Sequence, residues 1–514
     1  MAETRREIER KYASDDGGLP DLTGVAGVAA VLDRGIAELD AVYYDTADER
    51  LAAASVTLRR RTGGSDAGWH LKLPVAPGVR DEIRAPLSDT VPDLLAGLVR
   101  SRVRDAELVP VVRLRSARDV RELVDAEGRL LAEVSADAVR ADRLTGAGGS
   151  ARWSEIEVEL ADDGDPAFLD QVERTLRAAG VRPSRSASKL ARALAETRPG
   201  KGEAASGAGS GPSAGGPVTA GDHVLAYLRA QRDALVELDP AVRRDLPDSV
   251  HRMRVATRRA RSALRSHAKV LDRSVTGPVG EELKWLAGEL GVDRDQEVLL
   301  ERLTAAVDRL PAPSATGPVH ARLRTWSRTR GGGSRRLTAV LDGGRYLALL
   351  AALDRLVDEP PLRPAAAGEP SKVIAGAVRK DFGQVAALVG EALGHPAGPE
   401  RDLALHEARK KAKRTRYAAE AAVPALGEPA ADLVRQMKSL QGLLGDHQDS
   451  VMTREALRDL AAEAHAAGED AFAYGLLYGR EERRAELAEA ALPGAWAAIR
   501  GRTAVWEAPA GGLG

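Results

Sequence analysis

Residues 199–221 read PGKGEAASGAGSGPSAGGPVTAG, almost wholly Gly, Ala, Ser and Pro. Such a stretch has too few apolar side chains to build a core and is expected to be a flexible linker. It divides the 514-residue chain into 198 residues before it and 293 after. The two sides follow different periods. TLRRR (57–61), WHLKL (69–73), VVRLR (111–115), LLAEVSAD (130–137) and WSEIEVEL (153–160) alternate with period two and are separated by turn clusters such as Thr62-Gly63-Gly64. Helical patterns interrupt them at about 91–103 and 166–180. After the linker come Ala/Leu/Arg/Glu segments of 3.6-residue spacing, with breaks near 240, 277, 311–318, 358–370, 394–399 and 427. The expected fold is α+β and multidomain, a mostly antiparallel β domain followed by an all-α domain.

In a strand, residues i, i+2 and i+4 share a face. Glu7, Glu9 and Lys11 therefore point together, as do Arg59 with Arg61, His70 with Lys72, Arg113 with Arg115, Glu133 with Asp137, and Glu155 with Glu157 and Glu159. A solvated sheet with cross-strand ion pairs would also carry charge on one face. Composition helps to decide. Arginine outnumbers lysine 63 to 12, so a run of Arg carries little information, whereas a retained Lys carries more. Lys11, Lys72 and Lys189 are the only lysines before the linker, and Lys11 and Lys72 lie on the charged faces just named. Closed into a barrel, these faces would line a charged lumen. Its cations suit a chain of phosphates, and its carboxylates suit a hard divalent ion.

Glu7-Ile8-Glu9-Arg10-Lys11 resembles the ExExK signature that opens CYTH domains, of the triphosphate tunnel metalloenzyme superfamily. Tyr43-Tyr44-Asp45-Thr46, Leu58-Arg59-Arg60-Arg61, Trp69-His70-Leu71-Lys72, Arg113 with Arg115, Asp137, Glu155-Ile156-Glu157 and Ser188-Lys189 are similar to its later motifs, in order. The resemblance implies an eight-stranded antiparallel β tunnel over residues 1–198 that acts on triphosphates. It implies that Arg59, Arg61, Lys72, Arg113, Arg115 and Lys189 hold phosphates. Glu7, Glu9, Asp137, Glu155, Glu157 and Glu159 would hold Mg²⁺ or Mn²⁺, with Glu7, Glu9 and Lys11 at the catalytic centre. Whether Lys11 is a base or an electrostatic clamp stays open. So does the choice among Glu155, Glu157 and Glu159.

The helical part repeats itself. His251, Arg254, Arg258 and Arg261 share a helix face, and so do His406, Arg409, Lys413 and Arg416, 155 residues later. Leu290-Gly291-x-x-Arg294-Asp295 recurs as Leu444-Gly445-x-x-Gln448-Asp449, offset by 154. Like charges at this spacing repel, which makes sense of a face that meets a polyanion. These motifs resemble the CHAD domain. The resemblance implies two four-helix bundles around a basic cavity that binds polyphosphate through those eight residues. The domain is expected over 222–506, with copies at about 222–365 and 371–506 and a tail at 507–514.

Together these readings predict metal-dependent hydrolysis of inorganic triphosphate, with long-chain polyphosphate bound by the helical domain. The alternatives are a non-catalytic polyphosphate-binding protein, or a tunnel acting on thiamine triphosphate or ATP in the manner of an adenylate cyclase. Aromatics are 3% of residues, which argues against stacking on nucleic acid. The absence of cysteine removes disulfides and thiolate metal sites. The charged start, MAETRREIERKY, lacks the apolar segment of a secretory signal. No apolar run reaches the roughly 18 residues of a membrane span. A cytoplasmic location, in some cells at polyphosphate granules, is the expectation.

Overall fold

The computed structural model describes residues 3–14, 19–146, 148–198, 217–311, 314, 317–330 and 333–506. Side chains at 293–297 and 327–335 are outside that description. So are most of the linker, the 507–514 tail and the Arg294-Asp295 pair. The chain forms two compact units, Met1–Gly209 and Ser210–Gly514.

The first unit is a closed antiparallel barrel. Its strands are β1 (Glu3–Ser14), β2 (Ala30–Asp45), β3 (Thr57–Thr62), β4 (Gly68–Ala76), β5 (Val79–Ala85), β6 (Val109–Val124), β7 (Leu130–Arg143) and β8 (Ser150–Leu160). They run in the order β5-β4-β3-β2-β6-β7-β8-β1, and β1 returns to β5 to close the ring. A two-residue strand, β9 (Arg182–Pro183), adds to β1. The five alternating segments of the sequence all lie in these strands. The β3–β4 turn needs glycine: Gly63 has φ +79°, and a Cβ there would sit 2.1 Å from the Glu38 carbonyl oxygen.

Two apolar clusters clothe the barrel and a third fills one end of it. On the outer face of β3–β5, Leu58, Trp69, Leu71 and Ile83 bury against Leu95, Leu98 and Val99 of α2 (Asp93–Val103), with Leu51 of the short α1 (Arg50–Ala53). On the far side Tyr12, Leu123, Val134 and Val158 bury against Leu169, Val172 and Leu176 of α3 (Ala167–Ala178). The third cluster is internal. Ala41, Tyr43, Leu114, Val139 and Trp153 meet Leu190, Ala193 and Leu194 of α4 (Lys189–Glu196). Ser188 caps α4, its hydroxyl accepting from the Ala191 N–H at 3.1 Å.

The second unit is helical: α5 (Ala220–Arg243), α6 (Ser249–Ser266), α7 (Arg273–Glu289), α8 (Val292–Asp308), α9 (Val319–Arg330), α10 (Gly333–Asp342), α11 (Gly344–Asp358), α12 (Pro370–Gly394), α13 (Pro399–Leu426), α14 (Glu428–Ala466) and α15 (Phe472–Thr503). Thr219 and Asp222 form a capping box that starts α5 at Ala220, inside the stretch read as linker. Pro240 and Pro278 lie within α5 and α7, so the breaks expected near 240 and 277 fall instead at 244–248 and 267–272. Both prolines sit within two turns of a helix end, where few intrahelical bonds are lost.

Two cores have the expected bundle character. Leu235, Met253, Leu283, Leu341 and Leu350 join α5, α6, α7 and α10–α11. Phe382, Ala412, Met437 and Trp496 join α12, α13, the start of α14 and the end of α15. A third core was not legible in the sequence. Leu303 of α8, Leu323 of α9, Leu460 of α14 and Leu477 of α15 bury together. It takes two helices from each copy of the repeat. The second repeat motif explains the asymmetry: Leu290-Gly291 marks the break between α7 and α8, whereas Leu444-Gly445 falls inside the unbroken α14. Among the described residues, no helix is long and apolar enough to cross a membrane.

Candidate functional site: a charged tunnel and a paired basic face

The barrel lumen is a cavity of about 280 Å³ lined almost entirely by ionisable groups. β1 supplies Arg5, Glu7, Glu9 and Lys11, β3 Arg59 and Arg61, β4 Lys72, β5 Arg80, Glu82 and Arg84, β6 Arg118, β7 Glu133 and β8 Glu157 and Glu159. Lys189 enters from the first turn of α4. Period two places each set on the inner face while the alternate residues bury under α2 or α3.

The acids divide into two groups. In the first, Asp137, Glu155 and Glu157 are buried and offer oxygens that all lie within 4.8 Å of one another. Strand register sets this up, since Asp137 pairs with Glu155 across β7–β8 and Lys11 with Glu157 across β1–β8. Lys189 Nζ lies 3.0 Å from Asp137, 2.7 Å from Glu155 and 2.6 Å from Glu157. Arg118 donates to Asp137 at 2.7 and 2.8 Å and to Glu157 at 2.9 Å. Lys11 pairs with the same Glu157 and with Glu9 at 3.0 Å. Burial opposes ionisation of Glu157, yet Lys11, Lys189 and Arg118 hold its carboxyl well below the usual range. Burial likewise opposes the Lys11 charge, but Glu157 and Glu9 keep its ammonium above the ordinary lysine range.

In the second group, Glu7 pairs with Lys72 at 2.6 Å and Glu159 with Arg5 at 2.9 Å. Burial, with Glu7 close by, pushes Glu159 up to about 7. Beside these acids, Arg59 and Lys72 approach Glu82 at 3.9 and 3.8 Å, with Arg61 on the same strand face, and the Glu82 carboxylate also meets His70 at 2.9 Å.

Arg113 and Arg115 are not in the lumen. Their side chains are 41% and 46% exposed and pair with Asp40 and Asp142 on the outer surface. The inner face of β6 there is Leu114, which packs in the apolar core under α4. The lumen is apolar at that end and charged only beyond it, so alternation in VVRLR has its faces reversed. The β6 cation in the tunnel is Arg118, which sequence reasoning missed. Strand β5 was missed too, although Val79-Arg80-Asp81-Glu82-Ile83-Arg84 carries three charges at period two. Arg118→Ala is expected to weaken binding of a polyvalent anion in the lumen at least tenfold, whereas Arg113→Ala with Arg115→Ala changes it less than twofold. Calorimetric titration of the three folded proteins with such an anion checks this.

In the helical unit, α6 and α13 pack side by side. Arg254, Arg258 and Arg409 all bear on Lys413, and burial together with these three cations lowers its ammonium to about 7. The two copies of the motif thus converge on one cationic centre. The glycines of the second motif make room for it: a Cβ on Gly291 would lie 3.0 Å from the Arg254 guanidinium, and one on Gly445 3.5 Å from that of Arg409. Arg409 also approaches Asp449 at 3.7 Å. The other predicted residues sit at the margins. His251 is exposed, His406 meets Gln448 at 2.7 Å, Arg261 lies near Arg265 and Glu281, and Arg416 faces Glu420 at 3.7 Å. A buried His447, 3.2 Å from both Asp402 and Glu489, ties α14 to α13 and α15, and Arg401 holds the same Glu489 at 2.8 Å.

A closed antiparallel tunnel lined with opposed acids and bases, followed by a duplicated helical unit with a shared basic centre, defines a two-domain class of anion-handling protein. Residues 5–194 match the CYTH domain and residues 226–458 the CHAD domain. The chain belongs to the family that joins these two domains. It is 40% identical over 508 residues, 95% of each chain, to Rv2226, an uncharacterized protein of Mycobacterium tuberculosis. Among solved structures, PptA from Streptomyces chartreusis is 24% identical over 55% of this chain and 99% of its own, with a TM-score of 0.45. The CHAD domain of the plant Ricinus communis is 22% identical over 57% of this chain and 94% of its own, with a TM-score of 0.42. CYTH membership carries a triphosphate-related function. CYTH tunnel proteins use divalent metals, and the buried carboxylates here offer the hard oxygen donors such ions take.

Proposed function

We propose that the tunnel hydrolyses inorganic triphosphate, or a closely related triphosphate, with Mg²⁺ or Mn²⁺, and that the helical domain binds long-chain polyphosphate. The observation that carries the first half is the lumen, a cavity of about 280 Å³ lined by Arg59, Arg61, Lys72 and Glu157, the last belonging to a buried acidic trio with Asp137 and Glu155. Arg59, Arg61, Lys72, Arg118 and Lys189 would hold phosphate oxygens through charge-assisted hydrogen bonds. Asp137, Glu155 and Glu157 would hold the metal, with Glu7, Glu9 and Glu159 as a second acidic group. The metal would supply Lewis-acid stabilisation of charge on the phosphate undergoing attack by water. Lys11, held as an ammonium beside Glu157 and Glu9, would neutralise charge developing in the transition state.

The second half rests on the convergence of Arg254, Arg258, Arg409 and Lys413. With burial, their mutual repulsion lowers the Lys413 ammonium, and a polyanion would relieve that repulsion. The cytoplasm and its polyphosphate deposits are the proposed setting. Phosphate release from inorganic triphosphate, thiamine triphosphate, ATP and long-chain polyphosphate, with Mg²⁺ or Mn²⁺, tests the enzymatic reading. Inorganic triphosphate should be turned over fastest. A folded, metal-supplied protein that releases no phosphate from any of the four would leave a binding protein.

A further inference from the structure

We propose that Lys189 is a resident counter-cation of the acidic trio, drawn off by triphosphate, so that metal and triphosphate bind the tunnel cooperatively. The inference rests on the triphosphatase reading and deepens it.

The Lys189 ammonium sits 3.0 Å from Asp137 Oδ2, 2.7 Å from Glu155 Oε1 and 2.6 Å from Glu157 Oε1. A Mg²⁺ ion takes its oxygens at about 2.0–2.1 Å. Bound to those three atoms it would need the space the ammonium fills. Like charges and overlapping volumes forbid both at once. The trio's other oxygens are also engaged, Asp137 Oδ1 and Glu157 Oε2 by Arg118 at 2.8 and 2.9 Å. Lys11 also holds Glu157. Three carboxylates are thus matched by three cations before any ligand arrives.

Displacing Lys189 without offering it another anion would strand an ammonium whose side chain is only 9% exposed. An uncompensated buried charge costs several kcal/mol. Lys189 also lines the cavity, together with Lys11 and Arg118. A triphosphate there gives the ammonium a new partner and leaves the trio's oxygens to a metal. Because coupling of binding free energies is reciprocal, the metal must in turn tighten triphosphate binding. Lys189 is on this account a positioning residue for the metal as well as a phosphate ligand.

The test is Mn²⁺ affinity of the full chain, by electron paramagnetic resonance, for wild type, Lys189→Met and Lys189→Gln. Trp153 donates to Glu155 Oε2 at 2.7 Å, so its fluorescence gives a second readout at the same carboxylate. With Mn²⁺ alone, both variants should bind at least tenfold more tightly than wild type. Imidotriphosphate, which resists hydrolysis, should raise wild-type Mn²⁺ affinity at least tenfold after correction for its own complexation in protein-free buffer. It should raise that of the variants much less. Equal or weaker Mn²⁺ binding by folded variants overturns the proposal, as would a lysine that merely contacts phosphate. Should neither variant fold, an absence of coupling in wild type overturns it. Phosphate release by wild type, run in parallel, keeps the two readings apart. Release with unchanged Mn²⁺ affinity in the variants removes the counter-cation role alone, and the expected Mn²⁺ pattern without release removes hydrolysis alone.

Discussion

On the proposed reading, Lys11→Ala should lower hydrolysis of inorganic triphosphate at least a hundredfold, and Glu157→Gln should do the same. Losing one preorganised electrostatic contact at a reacting centre costs about 10²–10³ in turnover. Lys11 stands between Glu9 and Glu157, on the wall where β1 meets β8, and its charge is fixed by both. Removing it takes a cation from the lumen and leaves two buried carboxylates to repel each other. Glu157 touches Lys11, Lys189 and Arg118 at once, so its amide would loosen all three. The measurement is kcat at saturating triphosphate and Mn²⁺, with circular dichroism to confirm that the barrel is intact. A folded variant that loses less than tenfold would remove that residue from the catalytic centre.

Reversing Arg254 and Arg258 to Glu should abolish detectable polyphosphate binding, and reversing Arg409 and Lys413 should do the same. Triphosphate hydrolysis should change less than twofold in both, because none of these residues lines the tunnel. Each reversed pair swaps attraction for repulsion at a centre that both copies of the motif share. Affinity in the wild type should fall steeply with salt, by analogy with the counterion release of nucleic acids. It should also fall with pH. Burial and the arginines set the Lys413 ammonium to about 7, and a polyanion would raise it, so binding takes up a proton above pH 7. Affinity should drop by up to about tenfold per pH unit from 7 upward, and Lys413→Met should flatten that slope. Titrations against long-chain polyphosphate and duplex DNA at several salt and pH values decide the matter. Reversals that leave affinity unchanged, or equal affinity for both polymers, would reduce the basic faces to solvated surface.

Much of this was legible because period two and a bias against lysine act together. Lys11, Lys72 and Lys189 marked the lumen, and all three line it. The repeat was legible as two motifs at one offset, and the structure gives the physical reason: the glycine of the second lies against the first arginine of the first. Arg113 and Arg115 failed for an equally physical reason. Alternation says which residues share a face but not which face is inside, and the apolar plug of Leu114 and α4 reverses the usual sense. Arg118 was hidden by the opposite parity of the arginines before it. The third helical core escaped because 3.6-residue spacing reveals an apolar stripe and never its partner.

That third core ties the two copies of the repeat into one cooperative unit. Leu303 and Leu323 come from one copy, and Leu460 and Leu477 from the other. Each copy buries these side chains against the other, so the halves are complementary and not modular. A chain cut between the copies would leave each half with an apolar arm in water.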